Sequence, residues 1–162
     1  MDDTFNLTAY CLRLTTVVVA DEWDRGLPAA YLLSNRMTEN GVAAMYEEVK
    51  RLVPNFDTEY FMSDDCNAFY NGFTKVFPRT RTQKLLCFFH VIQAIKRNCN
   101  AELKQKQLTE PVLATVRNLC KTVNPNEFAS KYSSLMTFPN GQGEKDMAEY
   151  LEKTWYYVIL LT

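Results

Sequence analysis

Two aspartates stand where a metal ion could be held. Asp2 lies in the run Asp2-Asp3-Thr4-Phe5-Asn6, and Asp64 follows the short apolar run Tyr60-Phe61-Met62. In open α/β sheets, polar groups at the carboxyl ends of neighbouring strands face a common crevice. Two hard oxygen donors there suit Mg²⁺ or Mn²⁺, which keep several waters. A pair of such ions can activate water and stabilise the leaving oxygen in phosphodiester cleavage. Acids at strand ends are also ordinary turn and cap residues, so spacing alone leaves both readings open. Asp3 and Asp65 sit next to the two candidates. Successive strand residues face opposite ways, so only one acid of each pair can enter the crevice.

Cys87-x-x-His90 has half the spacing of a zinc site. His90 is the only histidine, and Cys99 and Cys120 could complete four ligands. The gaps are irregular, and each of those cysteines also fits a helix face where a small apolar residue belongs. His90 reads equally as a capped or core-edge histidine. Arg79, Arg81 and Lys84 follow Pro78, and Lys96-Arg97 lie one or two turns beyond His90. Arginine in a loop suits phosphate contact, and such charge also serves as plain solvated surface.

The elements that must position these groups fit one domain of 162 residues. With 47% hydrophobic and 23% charged residues, the chain has material for a real core and is not of the disordered class. The net charge of -1 excludes a strongly basic, autonomous nucleic-acid binder. Five cysteines at scattered spacing form no disulfide framework and point to a reducing compartment. Neither a basic signal segment at the start nor a membrane-length apolar run is visible.

Leu14 to Ala20 and Leu27 to Leu33 are apolar and β-branched, separated by the turn residues Asp21 to Gly26, which predicts a hairpin. Val42, Met45, Tyr46, Val49, Leu52 and Val53 recur at helical spacing, predicting a helix over 38–53 that Pro54 ends. Tyr60 to Met62 is a strand, 66–76 a helix stopped by Pro78, and Leu85 to Phe89 a further strand. Beyond Val91 the pattern is helical. Val91, Ile95 and Cys99 share a face, and Asn124-Pro125 opens a helix carrying Phe128, Tyr132 and Leu135. Pro139-Asn140-Gly141 predicts a break before a last helix marked by Met147, Leu151, Trp155 and Val158. Hairpin strands followed by strand–helix units imply a mixed sheet with helices on its faces.

The ordered segments resemble the transposase domain of Mutator-like (MULE) elements. Asp2-Asp3-Thr4-Phe5 is similar to the family's "D-x-T-F/Y" start. Leu14 to Glu22 with Gly26-Leu27-Pro28 resembles its hairpin, and Phe61-Met62-Ser63-Asp64 its "f-x-[ST]-D" segment. Val76-Phe77-Pro78 and Leu86-Cys87-Phe88-Phe89-His90 resemble its "vfP … lC-x-x-H" stretch. The match is collinear over residues 1–98. The resemblance implies an RNase H-like α/β fold with a five-stranded mixed sheet in the order 3-2-1-4-5, flanked by helices and followed by a helical C-terminal half. It implies a core over 1–98 and an incomplete helical insertion over 99–162. Asp2 and Asp64 become the first two metal-binding acids of a DDE set, favoured over Asp3 and Asp65 by the motif. Cys87 and His90 lie near the site, with Arg79 and Arg81 towards DNA. Similar cores occur in host proteins carrying SWIM zinc fingers.

The same resemblance implies metal-dependent DNA cleavage and strand transfer, acting on transposon ends in the nucleus, with no membrane role. A homo-oligomer is compatible with it. The family's third acid, a glutamate after the helical insertion, is not matched by Glu144, Glu149 or Glu152. The strand expected ahead of Asp2 is represented by Met1 alone. The chain therefore reads as shortened at both ends and inactive by itself. The alternatives are a domesticated transposase-derived domain that binds DNA or protein without catalysis, and a zinc-stabilised module built on Cys87, His90, Cys99 and Cys120.

Overall fold

The apolar hairpin forms as its alternation demands. The computed structural model describes residues 1–4, 11–23 and 25–159. Within it, β1 (Asp2–Thr4), β2 (Arg13–Ala20) and β3 (Gly26–Ser34) make an antiparallel three-stranded sheet in the order β1-β2-β3. Asp2 faces Thr16 across the β1–β2 ladder, and Asp3 faces Thr15. The turn between β2 and β3 is held by Asp21, whose carboxylate accepts the N–H groups of Trp23 and Arg25, the Asx geometry that favours aspartate there. Phe5 and Asn6 of the first motif and Asp24 of the turn lie outside the described residues.

Helix α1 (Glu39–Leu52) begins where Thr38 caps the Gly41 N–H and ends two residues before Pro54, with Val53 as its C-cap. Strand β4 (Tyr60–Ser63) and helix α2 (Asn67–Val76) follow, then β5 (Gln83–Leu86), which pairs with β4. Val17, Tyr46, Phe61, Phe69 and Phe73 form one buried core with Val42 of α1. Phe73 sits at its centre, with ring centroids 5.2 Å from Tyr46, 5.0 Å from Phe61 and 5.1 Å from Phe77.

The second half is helical: α3 (Phe88–Glu102), a single 3-10 turn (Lys106–Leu108), α4 (Thr109–Cys120), α5 (Pro125–Gly141) and α6 (Lys145–Ile159). Val91, Ile95 and Cys99 are buried together with Leu113, Leu135 and Leu151. Asn124 caps α5 by accepting the N–H groups of Asn126 and Glu127. The expected faces of Trp155 and Val158 lie outside the described side chains. The chain divides into two compact units, Met1–Leu85 and Leu86–Thr162, and a family-length core of 1–98 would run on into α3.

Three expectations are corrected. Among the described residues the five-stranded sheet in the order 3-2-1-4-5 is not formed. Instead a mixed α/β architecture carries a three-stranded and a two-stranded sheet. With β1 only three residues long, its link to β4 is a hydrogen bond from the Met1 ammonium to the Met62 carbonyl at 2.7 Å. The strand expected over 85–89 lies at Gln83–Leu86, and Phe88 and Phe89 begin α3. Their rings are 43% and 62% exposed, because the Val91–Ile95–Cys99 stripe, not the phenylalanines, faces the core. The break expected at Pro139 comes later. Pro139 lies inside α5, and the chain turns at Gly143, whose φ of 79° only glycine adopts readily.

Candidate active site

Ser63 ends β4, and Asp64 follows it. Phe61 and Ser63 are buried while Tyr60 and Met62 are exposed, and Asp64 is half-buried. Its backbone is fixed by the Ser63 hydroxyl, which donates to the Asp64 carbonyl at 2.7 Å. One carboxylate oxygen of Asp64 accepts the Cys66 N–H at 3.0 Å, just ahead of α2, where the helix dipole favours negative charge. Asp2 is exposed in β1, opposite half-buried Thr16, whereas Asp3 stands opposite Thr15, which is fully buried. The Met1–Met62 bond joins the two segments one residue before Asp2 and two before Asp64.

The other candidates are not drawn together. Cys87 takes the N-cap position of α3, and His90 lies in its first turn with Nδ1 shielded from solvent and its ring edge-on to Phe89. Cys99 is enclosed in the helical core, where burial pushes its thiol up to about 11. A thiol held protonated is a poor zinc ligand. Among the described residues no group of three or more His, Cys, Asp and Glu side chains is placed to hold a metal ion. Arg79 and Arg81 are exposed. Arg79 lines an open cavity of about 480 Å³ with Lys50, Phe56, Phe77 and Thr80. Lys50 is a residue that sequence reasoning missed. It donates to the Val76 carbonyl at 3.1 Å and lies over the Phe77 ring. Its place in the last turn of α1 was visible, but its partners on α2 were not.

A family model described as the MULE transposase domain matches residues 1–94. The chain belongs to this family. No curated protein matches the chain, and no solved structure does. The MULE match spans β1 through the first half of α3, and so contains Asp2, Asp64, Cys87 and His90. Among the described residues of this MULE chain no helix is long and apolar enough to cross a membrane.

The late acids have other work. Glu144 is buried, and its two carboxylate oxygens accept the N–H groups of Lys104 and Gln105, each at 2.9 Å. Glu149 pairs with Lys153. The Lys104 N–H holds the Glu144 carboxyl below its ordinary 4.5; burial opposes it, and the Gln105 N–H adds to the lowering. A depressed folded pKa stabilises the folded state above the unfolded value and loses that contribution as pH falls through the folded value. Glu144→Gln is therefore expected to lower the thermal midpoint near neutral pH by about 5 °C. The gap between variant and wild type should close as pH drops below 4.5. Melts across pH check this, and a gap that is constant with pH would remove the carboxylate from the explanation.

Proposed function

We propose that this MULE domain supplies the first two acids, Asp2 and Asp64, of a DDE-type transposase site that takes Mg²⁺ or Mn²⁺ and acts on DNA phosphodiesters. The carrying observation is the Met1–Met62 hydrogen bond. If β1 and β4 run parallel, a bond from the N–H of one strand to the carbonyl of the other sets Met1 opposite Ser63 and Asp2 opposite Asp64. Neighbouring strands lie about 4.8 Å apart, so two such carboxylates share one ion's reach. The family motif favours Asp2 over Asp3 and Asp64 over Asp65, and Asp2 is exposed in β1. Their oxygen-only donor set fits a hard cation that keeps most of its water.

A metal ion bound there would supply Lewis-acid stabilisation of phosphate oxygens and an activated water. What the chain itself does is hold the acids: Ser63 pins the Asp64 backbone and Cys66 orients its carboxylate. Arg79 and Arg81 are suited to DNA phosphates, and Cys87 and His90 lie in the segment next to the site in the family pattern. Transposon-end DNA is the partner in this reading, and the nucleus its compartment.

Mn²⁺ titration watched by NMR tests it. Paramagnetic broadening should centre on the amides around Asp2 and Asp64. Asp64→Asn should weaken binding by more than the roughly tenfold that outer partners of a metal ligand cost. Broadening that spares both segments, or an Asp64→Asn chain that binds as the parent does, would refute the site. In the same preparations DNA cleavage is expected to be absent. Two-metal chemistry needs both ions held about 3.5–4 Å apart, and Glu144 and Glu149 are already engaged. The net charge of -1 also gives little hold on DNA. DNA binding with no metal dependence would favour the domesticated, non-catalytic reading.

A further inference from the structure

The cavity of about 480 Å³ beside Arg79 lies away from the acids. Asp57, ahead of β4, and Thr80, ahead of β5, both line it, so it opens at the entry end of the strand whose other end leads to Asp64. Phe73 is its buried floor. Phe56 and Phe77 are half-buried, and part of each ring is open to the cavity. Their centroids are 5.5 Å apart, which makes one continuous aromatic wall. Lys50 and Arg79 also line the cavity, and both are exposed. Among the described residues neither is paired with a carboxylate, whereas Arg51 of α1 and Lys75 of α2 are matched with Glu48 and Glu39. Lys50 uses one of its three donors on the Val76 carbonyl at 3.1 Å. That bond covers a carbonyl oxygen at the end of α2 that would repel an anion, and it leaves two donors to spare. Asp57 adds an acceptor to the lining, its carboxylate taking the Thr58 N–H at 2.9 Å.

We propose that this cavity binds a single unstacked nucleotide, with its phosphate held by Lys50 and Arg79 and its base laid on Phe56 and Phe77. The volume falls within the roughly 300–1,000 Å³ of small-molecule sites. Two cations without carboxylate partners call for an anionic head, and the planar fork of Arg79 matches phosphate oxygens. The aromatic wall calls for a flat body, and every base has a face that stacks on such rings. Each base also carries an N–H at its edge for an acceptor such as Asp57. A peptide supplies an anionic group and a flat one only by ordering two side chains, with the loss of entropy that entails. A nucleotide carries both on one sugar. It reaches the cavity either as a free molecule or from an unpaired stretch of DNA. Arg79 thereby gains a defined phosphate contact, at a place that needs neither Asp2, Asp64 nor a metal ion.

The test titrates the full chain, held in EDTA, with deoxyadenosine monophosphate, deoxyribose phosphate, inorganic phosphate and single-stranded oligo(dA), and follows amide NMR shifts. The mononucleotide is expected to shift the amides around Phe56 and Phe77. It should bind on the order of tenfold more tightly than deoxyribose phosphate, the gain from one base–aromatic stack. Lys50→Gln and Arg79→Gln should each weaken it roughly tenfold. Arg51→Gln removes an exposed charge already paired with Glu48 and should leave binding as it is. Phe56→Leu should bring the mononucleotide down to the level of the sugar phosphate. Tighter binding of oligo(dA) than of the mononucleotide assigns the site to unpaired DNA, and equal or weaker binding assigns it to the free nucleotide. Either result upholds the cavity as a nucleotide site. A mononucleotide that binds no better than the sugar phosphate, or shifts that spare Phe56 and Phe77, overturns the proposal. Equal losses from Arg51→Gln and Arg79→Gln overturn it too, as plain charge attraction. Tighter binding of an acidic aromatic peptide would assign the surface to a protein and likewise overturn it. With metal removed by EDTA, failure here and failure of the Asp2–Asp64 site are read separately.

Discussion

Phe73→Ala removes about 3–5 kcal/mol of stability from the Met1–Leu85 unit, the largest loss expected of any single truncation there. The side chain is 1% exposed. Its ring meets five of the other aromatic rings of that core at 5.0–6.5 Å, among them Tyr46 of α1 and Phe61 of β4. Deleting the ring forfeits its transfer from water and leaves a void that helices tied to two sheets cannot readily close. A loss of this size is a large share of the 5–15 kcal/mol that holds a domain folded. Because Phe61 lies two residues before Ser63, the loosened core should also release the β4 end that carries Asp64. Denaturant unfolding with amide exchange measures both. Phe73→Leu, which refills much of the space, should recover most of the loss. A Phe73→Ala chain within 1 kcal/mol of the parent, on the order of an ordinary surface change, would mean the aromatic cluster is not the keystone of this unit.

Gly72→Val is the second large effect, with an expected cost of about 3 kcal/mol. A Cβ at Gly72 would lie 2.7 Å from the Cβ and Cγ1 of Val42 and 2.8 Å from the Glu39 carbonyl oxygen. Val42 is fully buried, and the Glu39 oxygen belongs to backbone, so neither can swing aside. Helices α1 and α2 must part to admit any side chain. Gly72→Ala is the sharper comparison. It gains about 1 kcal/mol of helix propensity and loses about 1–3 kcal/mol to overpacking, so the sign depends on how tightly the helices are held. Net destabilisation by alanine, deepened by valine, is expected in thermal melts. A stabilised Gly72→Ala chain would show that α1 and α2 separate at little cost.

Most elements could be read before the fold was known. Local signals wrote them: the β-branched runs of β2 and β3, the Thr38 cap and Pro54 stop around α1, and Asn124-Pro125 at the head of α5. These depend on neighbours within one or two turns, and such neighbours are present in the sequence. The MULE family was legible for a related reason, since its motifs are short, ordered and collinear. Failures came where a distant partner decides. Phe88 and Phe89 look like strand residues by type. They enter α3 because Val91, Ile95 and Cys99 have a helical core to pack against. Pro139 looks like a break, yet the helix carries it in its last turns and yields only at Gly143.

The candidate site divides along the same line. The sequence by itself determined which acids could matter, since their types, strand-end positions and motif context are local. It could not separate Glu144 from a catalytic acid. Only tertiary structure brought Lys104 and Gln105, forty and thirty-nine residues away, to its carboxylate. Nor could it say that Gly72 is a contact between helices or that Lys50 reaches the end of α2. The division of the sheet was a tertiary decision as well. Each strand's identity is encoded in its own residues, but whether two strands join depends on the length of backbone they present to each other. Between β1 and β4 that length came down to the bond from Met1 to Met62.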